Sequence, residues 1–262
     1  MNQEFTNKII VVSGGSRGIG RAVAEAFARQ GAQLVLAASS ATNLAAAAEA
    51  ITSSGARKPV TCAGDLRQRE ACENLFAQVS AQFGRCDILV NSAGATRAGA
   101  FLELPDNAWE DGFSLKFFAC VRLTRLFWPL LKQAQGHVVN IIGGAARTPD
   151  PEFLIGGSVN SAMANFSKGI AGLGKRDGIN VNVIHPGLTE TARVGQLFRQ
   201  RAEAMGISSD EVRARAIAKE GLRRLGQPED TAELALFLCS GRARHIQGAA
   251  IAVDGGATPG LY

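Results

Sequence analysis

Short β-branched runs alternate with longer helical patterns along almost the whole chain. The patterns predict strands at 8–13, 33–38, 59–62, 87–90, 137–142, 180–184 and 249–253, and helices at 17–29, 41–53, 67–83, 106–131, 158–175 and 228–238. Strands joined by helices of this length form parallel βαβ units. The sequence therefore predicts an α/β fold, a doubly wound, mainly parallel seven-stranded sheet with helices on both faces. With no linker or repeat, one domain is expected over 1–262.

One polar, helical stretch at 190–222 interrupts this alternation, and we expect it to form a lid-like excursion over a site. The net charge is +5, and basic residues crowd this part of the chain: Arg199, Arg201, Arg213, Arg215, Lys219, Arg223 and Arg224. They fit either a solvated helix face or an anionic small-molecule substrate. Nucleic-acid binding is not expected, because no recognition motif or aromatic platform accompanies the charge.

Composition limits the other classes of protein. No apolar run reaches the roughly 18 residues of a membrane span, and Met1–Glu4 lack the basic and apolar regions of a signal peptide. The five cysteines are scattered without a CxxC pair, and the three histidines are dispersed. This pattern predicts a cytoplasmic protein with no metal site and no membrane partner.

A glycine-rich loop joins the first predicted strand to the first predicted helix. Gly14 permits a tight turn, Gly18 lets the backbone approach a diphosphate, and Gly20 lets the helix pack on the strand. A diphosphate bound here would lie at a helix N-terminus, where free N–H groups favour anions. An ordinary glycine-rich turn is the alternative, but the position between strand and helix favours a dinucleotide site.

These glycines and several later motifs resemble those of the short-chain dehydrogenase/reductase family over nearly the whole chain. Asn91-Ser92-Ala93-Gly94 looks like the family's NNAG motif, Pro186-Gly187 with Thr191 like its nicotinamide-binding segment, and Asp65 like its adenine-contacting acid. The resemblance implies a Rossmann-type fold and a set of cofactor-binding residues. These residues are Gly14, Ser16, Arg17, Gly18, Ile19, Gly20, Ser39, Asp65, Leu66, Asn91, Ala93, Gly94, Pro186, Gly187, Thr189 and Thr191.

The choice of cofactor depends on the end of the second strand. An acid there would bind the ribose 2′-hydroxyl and repel a 2′-phosphate, but the chain has Ser39 and no acid. Arg17 stands in the glycine loop, as in many NADPH-using relatives. We therefore expect NADP(H) rather than NAD(H), with a solvated surface arginine as the alternative for Arg17.

The family's acid–base residues are replaced. Its usual serine, tyrosine and lysine fall on Gly143, Gly156 and Asn160, and its supporting asparagine falls on Lys116. The chain has one tyrosine, Tyr262, at its C-terminus. Gly143 and Gly156 have no side chain, so they leave space and supply no new catalytic group. The resemblance therefore implies an atypical active site without the family's standard proton donor.

Two residues are candidates for the missing proton donor. Lys116 is expected to reach toward Gly143, Gly156 and Asn160, where desolvation would lower its pKa. His185 precedes Pro186 and should lie near the carboxyl edge of the sheet, with a pKa close to neutral. A surface lysine and a structural loop histidine are the alternatives.

Three functions remain open from the sequence. The first is an atypical oxidoreductase using NADP(H) on a carbonyl or alcohol substrate. The second is a non-catalytic protein that binds a cofactor or a partner. The third is a non-redox enzyme, such as a lyase, on the same scaffold. The family also implies a homo-oligomer, most often a tetramer, and the aromatic residues of the 106–131 helix suit core or subunit-interface packing.

Overall fold

The computed structural model describes residues 3–259; Met1, Asn2 and the residues from Gly260 to the single tyrosine, Tyr262, lie outside them. The strands are Ile9–Ser13 (β1), Gln33–Ala38 (β2), Val60–Ala63 (β3), Ile88–Asn91 (β4), His137–Ile141 (β5), Asn180–Pro186 (β6) and Ala250–Val253 (β7). They form one 7-stranded parallel sheet in the order β3-β2-β1-β4-β5-β6-β7. The predicted fold class is confirmed.

Helices cover both faces of the sheet. They are Gly18–Arg29 (α1), Ala41–Ser53 (α2), Arg69–Phe83 (α3), Asp106–Gly112 (α4), Ala119–Ala134 (α5), Leu154–Asp177 (α6), Ala192–Met205 (α7), Ser209–Lys219 (α8) and Pro228–Leu238 (α9). Side chains alternate across β1, so Ile10 and Val12 join the core beneath α1 and α9. Val11 joins the core beneath α3 and α5 on the other face. Burial of β1 on both faces explains its continuous apolar sequence.

The order of the strands creates a crevice at the middle of the sheet. The chain moves outward from β1 to β3 and then returns to β4 on the other side of β1. The loops that follow β1 and β4 therefore leave in opposite directions. Ligands of open α/β sheets bind at such a point, outside the carboxyl ends of the strands.

Two helices differ from their predicted form. The helix predicted at 158–175 begins earlier, at Leu154, so Gly156 and Asn160 lie in its first turns. Glycine disfavours helices, which is why the sequence pattern placed the start too late. The helix predicted at 106–131 reaches Ala134 and contains a π-helical segment at Phe113–Phe118, between α4 and α5.

The polar stretch after β6 forms helices α7 and α8. They have a small apolar core of their own, which includes Phe198, Val212 and Leu225. An isolated bridge between Thr189 and Gly226 holds the two ends of the excursion together. Among residues 3–259, no helix is both long enough and apolar enough to cross a membrane.

Candidate active site

The glycine loop after β1 contacts the segments that follow β4 and β6. Gly14 has φ +72°, and a Cβ placed on it would lie 2.8 Å from the Ala93 nitrogen. A Cβ on Gly18 would lie 3.5 Å from the Thr191 Cγ2 atom, and one on Gly20 would collide with the Gly14 carbonyl. Three segments of the sequence that were expected to bind the cofactor therefore meet at one point of the sheet edge.

The N-terminus of α1 suits an anionic group. Arg17, at the N-cap position, makes no side-chain capping hydrogen bond, and the first turn has no acidic residue. By contrast, Ser40 caps α2 and Thr191 caps α7 through their hydroxyl groups. The free N–H groups of α1 and the helix dipole fit a diphosphate. Arg17 and Ser39 are both exposed, and they follow β1 and β2, which are adjacent parallel strands.

Some residues expected to bind the cofactor form ion pairs or hydrogen bonds with other residues of the protein. Asp65 follows β3 and forms an ion pair with Arg67 at 3.1 Å. The buried Asn91 Nδ2 donates to Asn140 Oδ1 at 2.8 Å, which ties β4 to β5. The Thr189 hydroxyl donates to the Gly187 carbonyl at 2.9 Å. These contacts hold the loops in place around the edge of the sheet.

Lys116 lies in the π-helical segment and packs over the end of β4. A Cβ on Gly94 would lie 2.9 Å from Lys116 Cδ and 3.3 Å from Cε, so the absence of a side chain at Gly94 makes room for the lysine stem. The lysine is only partly exposed. Single π-helical turns occur often at functional sites, because they redirect side chains on an otherwise regular helix.

The surroundings of Lys116 lower its pKa. Burial, together with the positive charge of Arg193, lowers the pKa of Lys116 to about 8. Arg193 itself donates to the Thr96 carbonyl at 2.9 Å, which joins the start of α7 to the loop after β4. An ammonium group with this pKa is protonated at neutral pH and loses its proton more readily than an ordinary lysine.

His185 is buried in β6, beside the loop that follows β5. Its Nδ1 atom lies 2.9 Å from the Ile142 carbonyl oxygen and must donate to it, because a carbonyl only accepts. Burial lowers the pKa of His185, helped by the charges of Arg147 and Lys116, and outweighs the backbone hydrogen bonds to Ile142 and Gly143 that raise it. The neutral ring then keeps a lone pair on Nε2, which suits a base rather than a proton donor.

Gly143, Gly156 and Asn160, on which the family's catalytic residues were expected to fall, are not equally open. Asn160 is 1% exposed, and its Nδ2 atom would lie 3.0 Å from a Cβ on Gly143. A Cβ on Gly156 would collide with the ring of Phe153. The expectation that both glycines leave empty space is therefore wrong at Gly156, because Phe153 folds back over it.

Comparison with known proteins identifies the family. Residues 14–258 match the family model described as enoyl-(acyl carrier protein) reductase. The chain belongs to the short-chain dehydrogenase/reductase family. It is 31% identical to the 3-oxoacyl-[acyl-carrier-protein] reductase FabG of Escherichia coli (strain K12), covering 96% of this chain and 98% of that protein. It is 33% identical to an uncharacterised oxidoreductase, MT0954, of Mycobacterium tuberculosis, covering 96% and 92%.

A solved structure agrees with this short-chain dehydrogenase/reductase assignment. L-sorbose reductase from Gluconobacter frateurii, complexed with NADPH and L-sorbose, superposes with a TM-score of 0.95 at 31% identity and covers 100% of both chains. Over residues 3–259, the fold of this short-chain dehydrogenase/reductase is therefore that of L-sorbose reductase.

Two residues of the site were missed by sequence reasoning. Phe153 has no motif around it, and only the folded helix brings its ring over Gly156. Arg193 closely follows Thr191, which was expected to bind the cofactor, so its position in the sequence was a usable signal. Its contact with Thr96 joins segments that are distant in the sequence.

Proposed function

We propose that this protein is an NADPH-dependent reductase of carbonyl compounds in which Lys116 replaces the family's tyrosine as proton donor. The observation that carries the proposal is the position of Lys116, whose stem packs on Gly94 beside the cofactor segments. Family membership and the oxidoreductases among its relatives support the reaction class. The NADPH complex of L-sorbose reductase and the structure of a second similar protein, an NADPH-dependent reductase, support the cofactor.

The chain supplies binding and proton transfer. Bound NADPH would provide the hydride, and α1 with the loops around Gly14 and Thr191 would hold it at the sheet edge. Lys116, with its pKa lowered to about 8, would donate a proton to the substrate oxygen. His185, which is neutral because its pKa is lowered, lies beside Gly143 as a polar side chain that does not donate the proton.

The excursion formed by α7 and α8 is proposed to act as a lid. Its base is closed by the Thr189–Gly226 bridge, and Arg193 ties its first turn to Thr96. Two of its basic residues are paired, Arg213 with Glu190 and Arg215 with Glu211, and just beyond it Arg224 is paired with Asp230. These pairs favour a solvated face for that part of the lid. Arg193 beside Lys116 supports a substrate that carries an anionic group.

The function is tested by NADPH consumption with a panel of carbonyl compounds that includes L-sorbose and a 3-oxoacyl-[acyl-carrier-protein], since similar proteins are reductases of these. We expect loss of NADPH absorbance with at least one compound. Tight binding of NADPH without consumption across the panel would support the non-catalytic alternative. Consumption of substrate without oxidation of NADPH would support a lyase.

The 2′-phosphate preference is expected to depend on Arg17. Charge-assisted hydrogen bonds to one phosphate contribute roughly 1.5–3 kcal/mol, or about tenfold to a hundredfold in affinity. Calorimetric titration should therefore show tighter binding of NADPH than of NADH, and Arg17→Ala should weaken only NADPH binding. Arg29→Ala, at the exposed end of α1, is the matched control. Equal or tighter binding of NADH by the wild type would refute the preference.

A homotetramer is also proposed. Phe118 and Leu173, on the π-helical segment and on α6, are 45% and 36% exposed in the single chain. Apolar side chains of this size favour a partner surface. Light scattering should give about four times the chain mass of 27.4 kDa. A monomer at micromolar concentration would contradict the proposal, whereas Phe118→Ser should lower the measured mass.

A further inference from the structure

Lys116 lies in a widened turn of its helix. The Ala119 N–H donates to the Ser114 carbonyl, five residues back, where a regular α-helix would use the Leu115 carbonyl. A π-helical turn holds one extra residue, which rotates the helix before it by about 100° relative to the helix after it. The direction of Lys116 relative to α5 therefore depends on the contacts that keep this turn open.

Arg67, in the loop between β3 and α3, contacts the helix on both sides of this turn. Its Nη2 atom donates to Asp111 Oδ2 at 3.2 Å, and its Nε atom donates to the other oxygen of the same carboxylate. Asp111 lies in α4, just before the π-helical segment. Arg122, in α5 beyond the segment, donates from Nη1 to the Arg67 main-chain carbonyl at 2.8 Å. One loop residue thus joins α4 to α5 across the turn that contains Lys116.

The geometry of the Arg67–Asp111 pair matters more than its free energy. Arg67 is 30% exposed and Asp111 is 51% exposed, and ion pairs at such positions add little to stability. A guanidinium group that binds a carboxylate through two parallel hydrogen bonds nevertheless fixes both distance and orientation. The Arg67 Nη1 atom also donates to Asp65 Oδ1 at 3.1 Å, which holds the guanidinium plane in place.

We propose that Arg67 is a positioning residue, which keeps the π-helical turn open and so directs the Lys116 ammonium toward the substrate carbonyl. The inference rests on the proposed reductase function, since it concerns how that site holds its proton donor. Asp65 was expected to contact the adenine of the cofactor. Arg67 therefore joins the loop expected to bind the cofactor to the helix that carries the proton donor.

The first test is Asp111→Ala, which removes both acceptors from the pair and leaves the loop after β3 unchanged. The single-turnover rate of NADPH consumption should fall about tenfold, since a catalytic group misplaced by 1 Å can cost up to about 100-fold. The fall in rate at alkaline pH, near pH 8 in the wild type, should begin about one pH unit higher. A lysine turned toward water is less desolvated and has a higher pKa.

The direction of this pH shift separates positioning from simple electrostatics. Loss of a nearby negative charge alone would lower the pKa of Lys116, whereas release of its side chain raises it. Glu110→Ala removes an exposed acid from the neighbouring position of α4 and should keep the wild-type rate and pH transition. Asp111→Glu retains the carboxylate and should recover most of the rate.

Two results would overturn the proposal. One is an unchanged rate and pH transition in Asp111→Ala. The other is a lower rate with the transition still near pH 8, because that result assigns the pair a purely structural role. Phe117 packs against Phe166 of α6 with ring centroids 6.0 Å apart, so we expect Asp111→Ala to remain folded. Urea unfolding and calorimetric titration of NADPH check its folding and its cofactor affinity.

A second test measures the pKa of Lys116 without turnover. Reductive methylation with ¹³C-formaldehyde labels the lysine amines, and the Lys116 NMR signal is the one that is missing in Lys116→Met. Its pKa should be about 8 in the wild type and about one unit higher in Asp111→Ala. Equal pKa values in the two proteins would overturn the inference. A higher pKa in Asp111→Ala, in a protein that oxidises no NADPH with any compound of the panel, would refute the reductase function alone.

Discussion

Replacing Lys116 by methionine is expected to lower kcat by about 100-fold or more, since the loss of general acid catalysis typically costs 10²–10⁴ in rate. Methionine retains the length and packing of the lysine stem over Gly94 but lacks the ammonium group that donates the proton. The affinity for NADPH should change little, because the helix and loops that hold the diphosphate remain. Steady-state kinetics with calorimetric titration of NADPH measure both effects.

Two controls separate proton donation from other roles of Lys116. Lys116→Arg keeps a positive charge but has a pKa too high for proton transfer, so it should bind substrate and still turn over slowly. Lys175→Met changes an exposed lysine on α6 and should behave like the wild type. An unchanged kcat and KM in Lys116→Met would remove Lys116 from the mechanism.

Gly20→Ala is expected to lower the free energy of unfolding by about 2–3 kcal/mol and the affinity for NADPH by at least tenfold. The new methyl group would collide with the Gly14 carbonyl and lie 3.1 Å from Ser92 Oγ. A backbone carbonyl in a tight turn has no room to move, so α1 must shift away from β1, at a cost typical of overpacking. Urea unfolding and calorimetry measure the two losses.

Gly169→Ala is the matched control for this substitution. Gly169 lies within α6, and a Cβ there would meet no atom within 4 Å. Alanine should stabilise this helix by about 0.5–1 kcal/mol, since it favours the helical backbone more than glycine does. Similar changes in the free energy of unfolding of the two variants would show that the contact between Gly20 and Gly14 does not determine the stability of the glycine loop.

Much of the fold followed from local patterns in the sequence. The bounds of β2, α2 and α9 agree with the predicted ranges, because each element has a regular apolar pattern between clear start and stop signals. The start of α6 was misplaced, since Gly156 and Gly157 are poor helix formers that tertiary packing overrides. The π-helical turn around Lys116 left no signal in the apolar pattern.

The candidate site was only partly accessible from the sequence. Motif order correctly pointed to loops that the fold brings together, as the contact between Gly18 and Thr191 illustrates. The filling of Gly156 by Phe153 depends on a side-chain rotamer, and the contact of Asn160 with Gly143 depends on the distance between α6 and β5. Neither quantity is encoded in a local pattern, so both required the folded structure.

The most direct test of Lys116 as proton donor is the rate of NADPH consumption in a single turnover, measured across pH with a carbonyl substrate from the panel. A donor must be protonated, so the rate should be constant at low pH and fall as the pH rises through the pKa of about 8. Above that value the decrease should approach about tenfold per pH unit, and Lys116→Met should be slow and lack this transition. A wild-type rate that does not change through this range, or the same transition in Lys116→Met, would contradict the account.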